Sequence, residues 1–196
     1  PTDPYVLVQR VSKDDKQEEK FSDVKELHDS EANVGGPEFN TGSRDPAWRF
    51  EVKEDGVYQV EVRDLFNPIL DNPGFVYRLS FRKELPDFRL VALVQAPPPA
   101  NKDKKEYPVW TPFLRRGESI AIKVVALRQD NFDGDIELTV EDLPPGIRQS
   151  NTRIDAGKTS ALLFLTAKAD AADWRGQLKV VGQAKIGGTE VRREAR

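Results

Sequence analysis

Residues 45–62 read Asp45-Pro-Ala-Trp-Arg-Phe-Glu-Val, then Lys53-Glu-Asp-Gly, then Val57-Tyr-Gln-Val-Glu-Val. Trp48, Phe50 and Val52 share one side of the first run, and Tyr58, Val60 and Val62 share one side of the second. Arg49, Glu51, Gln59 and Glu61 take the alternate positions. Successive strand side chains point to opposite faces, so this period of two on both sides of a glycine-containing turn predicts a β-hairpin with one buried face. An antiparallel β-protein follows as the class. The same alternation recurs in Phe75, Tyr77, Leu79 and Phe81, then in Ile120, Ile122 and Val124, and in Ile136, Leu138 and Val140. It predicts that Trp48, Phe50, Tyr58, Val60, Val62, Tyr77 and Leu79 are buried together.

Strands of this length, separated by turn signals about every 8–12 residues, indicate β-sandwiches. Tyr5–Val11 reads as a first, central strand, the charge-dense Lys13–Lys20 as a solvated turn, and residues 28–44, rich in Gly, Asn, Asp and Ser, as a loop. Val24–Leu27 fits a short strand or a helical turn. Pro97-Pro-Pro fixes φ and cannot join a central sheet, so the boundary between two units is expected there. The expected organisation is an all-β chain with one β-sandwich over 1–95, a Pro-rich linker at 96–106 and a second sandwich over 107–196. Asp130-Asn-Phe-Asp-Gly is expected to be a hairpin turn and Leu143-Pro-Pro-Gly-Ile a corner that breaks the ladder.

Thirty basic and 33 acidic residues nearly cancel, which leaves no basic field to recruit nucleic acid or an anionic membrane surface. No apolar run approaches the ~20 residues of a membrane helix, so no membrane insertion is expected. Without cysteine there is no disulfide framework, zinc–thiolate site or cysteine nucleophile. The chain contains no methionine, which suggests a start at an internal boundary, and any signal peptide is expected to have been removed.

The segments Asp3-Pro-Tyr-Val-Leu-Val, His28-Asp-Ser-Glu, Arg44-Asp-Pro-Ala-Trp-Arg-Phe, Glu54-Asp-Gly-Val-Tyr-Gln-Val-Glu-Val-Arg and Val76-Tyr-Arg-Leu-Ser resemble, in that order, the bacterial pre-peptidase C-terminal domain. The resemblance covers residues 3–83 and implies a jelly-roll-like sandwich appended to exported proteins. It begins midway through the family's pattern, so a missing sandwich half or another domain of the parent protein is the expected partner. Phe132-Asp-Gly-Asp-Ile-Glu-Leu-Thr-Val, Leu143-Pro-Pro-Gly-Ile and Ala156-Gly-Lys-Thr-Ser resemble the immunoglobulin-like repeats of large bacterial exported proteins, over 107–194. Both resemblances imply an extracytoplasmic location and a supporting or binding role without catalysis.

The residues themselves point the same way about chemistry. His28 is the only histidine, sits in a polar loop and has no Gly-x-Ser-x-Gly elbow to serve, so it reads as a surface histidine and no catalytic residue is assigned. Acidic residues are plentiful enough for a glycosidase pair, but most occupy outward strand positions where solvation explains them. No cofactor is demanded. Calcium is the ion whose hard oxygen ligands this composition can supply. Asp130–Asp135 superficially resembles an EF-hand loop, yet glycine falls at the fifth place from Asp130. The better candidate set is Asp29, Glu31 and Asp45, which flank one loop. Among aromatics, Trp48 reads as core, Trp110 as an inter-domain contact and Trp174 as cover for a sheet edge, each against the alternative of a stacking platform. The expected function is a non-catalytic module acting as spacer and interaction surface. The alternative is a module that binds a defined glycan or protein ligand in an aromatic-lined groove.

Overall fold

The computed structural model describes residues 3–30, 32–66, 76–96 and 111–196. Those residues form eleven strands in three antiparallel sheets, with no helix among them. Packing divides the chain into Pro1–Arg82 and Lys83–Arg196.

The first unit contains β1 (Pro4–Lys13), β2 (Glu19–Leu27) and β3 (Val57–Asp64), in the order β2-β1-β3. β1 is central, as its apolar run predicts. The charge-dense stretch is a turn only at its tip, where Asp14 Oδ1 accepts from the amides of Lys16 (2.8 Å) and Glu18 (2.9 Å) and Gln17 adopts φ 66°. Val24–Leu27 lies within β2. Val6 and Val8 are buried on the face they share with Val62 and Val60 of β3.

Two expectations fail in this unit. The 48–52 run does not pair with 57–62. β3 instead finds eight partners along β1, from Pro4↔Asp64 to Val11↔Val57, and the apolar stripe of Val60 and Val62 is spent on Val8 and Val6. A five-residue run cannot match that register. None of the seven residues expected to be buried together is fully buried: Phe50, Tyr58, Val60 and Val62 are half-buried, Trp48, Tyr77 and Leu79 are exposed, and residues 76–86 belong to no strand. Phe75 lies outside the described residues.

The second unit contains β4 (Asp87–Val94), β5 (Ser119–Gln129), β6 (Ile136–Glu141), β7 (Ile147–Gln149), β8 (Thr152–Ile154), β9 (Ser160–Ala167), β10 (Lys179–Ile186) and β11 (Thr189–Glu194). They make two four-stranded sheets, β4-β5-β9-β7 and β11-β10-β6-β8. Their inner faces meet in one core, in which Phe88, Val124, Ile136, Leu138, Ile154 and Leu163 are essentially inaccessible. The chain changes sheets between β7 and β8, where the Ser150 amide donates to the Phe164 carbonyl (2.8 Å) and Ser150 Oγ accepts from the Phe164 amide (2.9 Å). Along one edge Ala195 bridges both sheets. It donates to Val180 O (2.8 Å) and lies parallel to Leu90, while Ala92 donates to Arg196 O (3.0 Å).

The unit boundary therefore falls at residues 82–83 and not at the prolines. β4 pairs with β5 through eight residues, from Asp87↔Gln129 to Val94↔Ile122, so 95–118 connects two strands of one sheet. Proline forbids a central ladder position, but it does not forbid a long connection within a unit. Pro97–Pro99 themselves lie outside the described residues. The Asp130–Gly134 turn is likewise not a hairpin. It carries the chain from β5 to β6 in the opposite sheet, with positive φ at Asp130 (49°) and Asn131 (62°) and Phe132 tucked against Phe88, ring centroids 5.5 Å apart. The Pro144–Gly146 corner is as expected. Gly146 has φ 88°, and a Cβ there would meet Ala171 Cβ at 3.0 Å. Among the described residues no helix is long and apolar enough to cross a membrane.

Candidate binding groove

The inward row of β1 ends in a charge. Val6, Val8 and Arg10 share one face, and their β3 partners Val62, Val60 and Tyr58 continue it. Across β1, the pairing with β2 slips between Val8 and Gln9, so Val24 is the extra residue opposite that break. A bulge of this kind twists the edge strand and re-aims a side chain. Residues 46–54 have no strand partner and bring Trp48 and Phe50, two apart in an extended run, to the same side.

These parts enclose a groove of about 490 Å³ lined by Arg10, Val24, Trp48, Phe50, Glu54 and Tyr58, with Arg49, Glu51 and Lys53 also contributing. The three rings form a continuous series. Trp48 stacks on Phe50 with centroids 4.9 Å apart, and Phe50 meets Tyr58 edge-on at 5.0 Å. Offset-stacked and edge-to-face pairs are the arrangements that aromatic quadrupoles favour. Tyr58 Oη donates to the Glu54 carbonyl (2.9 Å), and Arg10 pairs with the Glu54 carboxylate. Both ends of that ion pair are well exposed, so it orients the groove wall more than it stabilises the fold. Trp48 is 38% exposed, which makes it accessible groove lining and not the core residue its alternation predicts. Arg10, Val24 and Glu54 are the lining residues that sequence reasoning missed. Arg10 was legible as the end of the Val6–Val8 row, whereas the Val24 bulge has no sequence signal.

The calcium ligands expected from the sequence are Asp29, Glu31 and Asp45. Glu31 lies outside the described residues. Asp29 and Asp45 are both exposed and flank a two-bond bridge, Ser30 N to Ser43 O (2.8 Å) and Ser43 N to Ser30 O (2.9 Å). Asp29 neighbours the carboxyl of the buried Asp3. Burial, then the neighbouring Asp29, raise the Asp3 pKa, with Arg44 opposing and Asp64 adding to the rise. Among the described residues no group of three or more His, Asp or Glu side chains is arranged to hold a metal.

His28 is exposed, with its ring 5.2 Å from that of Tyr5. Trp174 is exposed in the second unit, beside the Arg116–Asp173 ion pair (2.9 Å), and Trp110 lies outside the described residues. What the groove offers is therefore ring faces and edges bordered by fixed charges, a chemistry of stacking and hydrogen bonding. Comparison with family models, with curated proteins and with solved structures finds no match for this chain.

Proposed function

We propose that the chain is a pair of non-catalytic β-modules of a larger exported bacterial protein, acting outside the cytoplasm as spacer and interaction surface. The groove along Trp48, Phe50 and Tyr58 is the contact surface in this reading. The observation that carries it is the accessible aromatic series, because rings that could have been buried in the sheet face instead line an open groove. Pockets that orient a ligand typically combine apolar rings with a few placed polar groups, and Arg10 and Glu54 supply the latter. The same lining favours the narrower reading of a module with a defined glycan or protein ligand, since both ligand kinds engage aromatic side chains.

Titration of the intact chain with soluble glycans and with extended peptides, followed by indole fluorescence, tests this. Quenching that saturates, and that is lost in Trp48→Ala and reduced in Tyr58→Ala, is the expected result. Saturable quenching that persists in Trp48→Ala would move the site elsewhere. No response to either ligand series would leave the spacer role alone.

A further inference from the structure

The first unit holds both halves of an unmade strand pairing. β3 is bonded to β1 on one side only, and its other edge has no strand partner among the described residues. Exposed edges of this kind are templates for another strand. Residues 76–82, Val76-Tyr-Arg-Leu-Ser-Phe-Arg, carry strand alternation yet lie outside every sheet with Val76, Tyr77, Leu79 and Phe81 exposed.

The two match in one antiparallel register. With Tyr77 opposite Val62, Leu79 falls opposite Val60 and Phe81 opposite Tyr58, on the face that β3 shares with the buried Val6 and Val8. The same alignment sets Arg78 against Glu61 and Ser80 against Gln59 on the other face. Glu61 already accepts from Arg63 Nε at 2.6 Å, so Arg78 would approach a carboxylate held in place. Sliding by one residue would put every apolar side chain on the polar face. Sliding by two in one direction sets Arg78 against Arg63, and in the other leaves Glu61 opposite Val76.

We propose that the open edge of β3 takes residues 76–82 of a second copy of this chain as a fourth strand, and that the exchange is reciprocal. Each chain carries one donor segment and one acceptor edge, and a two-fold axis satisfies both at once. In the single chain the segment belongs to no sheet. Two Tyr77 and two Phe81 rings, at about 150–250 Å² each, with two Leu79 side chains and both backbones, reach the order of 1,000 Å² that a specific interface requires. The inference does not depend on the groove having a ligand.

Sedimentation velocity of the intact chain across a concentration series should show a monomer–dimer equilibrium. Arg78→Glu, which leaves the Glu61–Arg63 pair untouched, should weaken the dimer about five-fold or more, because like charges placed directly opposite repel. Glu61→Arg combined with Arg78→Glu should recover it. The chain has no cysteine, so Val60→Cys with Leu79→Cys reports the pairing directly. A disulfide-linked dimer on a non-reducing gel supports the exchange. An intramolecular disulfide would show that the segment joins its own sheet, and would overturn the proposal. A monomer at all concentrations, or a dimer indifferent to Arg78→Glu, would overturn it equally.

Discussion

At the residue scale, four side chains or their absence decide local stability. Gly182 lies on the inner face of β10, and a Cβ there would sit 2.5 Å from Leu90 Cδ1 and 2.8 Å from Ile136 Cγ2. Gly182→Ala should cost the second unit about 1–3 kcal/mol, the usual penalty for overpacking, measured by denaturant unfolding. Arg128 donates to the carbonyls of Lys158 (2.9 Å), Gly134 (2.7 Å) and Asp155 (2.9 Å) and lies 5.2 Å over the Phe132 ring, so it ties two loops to one strand. Its planar fork makes the contact, and Arg128→Lys should lower the unfolding midpoint despite the conserved charge. Asp87 receives both Arg193 nitrogens at 3.0 Å, and that contact, against burial, lowers its pKa. Its contribution is present above the unfolded value and is lost as pH falls through the folded one. Asp87→Asn should thus cost about 1 kcal/mol or less at neutral pH, and nothing in strong acid, given how exposed the pair is. Asp3 has the opposite sign. Its raised pKa gives a contribution that is full below the unfolded value and disappears as pH rises through the folded value. Melts from pH 3 to pH 8 should show the first unit losing stability across that window, and Asp3→Asn should remove the loss.

The elements show how period-two patterning was used and where it was reassigned. In the second unit two inward rows were legible, and Ile122 with Val124, and Ile136 with Leu138 and Val140, all face the core. In the first, the row of Tyr58, Val60 and Val62 was legible as a strand, but its partner was not. Alternation says which face is apolar and is silent about which neighbour will cover it. The same silence explains the Asp130–Gly134 turn, because a hairpin and a passage between sheets need the same positive-φ residues. Val8 makes an element-level prediction. It is buried on the central strand beneath Val60, so Val8→Ala should destabilise the first unit by about 1.5–3 kcal/mol in thermal or chemical unfolding.

For the whole molecule, the two units differ in how much they bury. Of the buried apolar residues described, Val6 and Val8 alone belong to the first unit, and eighteen lie in the second. A three-stranded sheet with so little behind it is marginal, whereas a filled sandwich is not. Calorimetry should resolve two transitions, the smaller and earlier one from the first unit, and Gly182→Ala should shift only the later one. The candidate site divides along the same line. Its rings were visible in the sequence, but as core. The sequence by itself determined the all-β class, the central place of β1, the Pro144–Gly146 corner and two inward rows of the sandwich. Those follow from local rules of φ, alternation and proline chemistry acting within a few residues. The tertiary structure alone decided that β3 pairs with β1, that β4 crosses the prolines to join β5, and that Trp48 lines a groove. Each of these depends on contacts between residues distant in the chain, which local alternation does not specify.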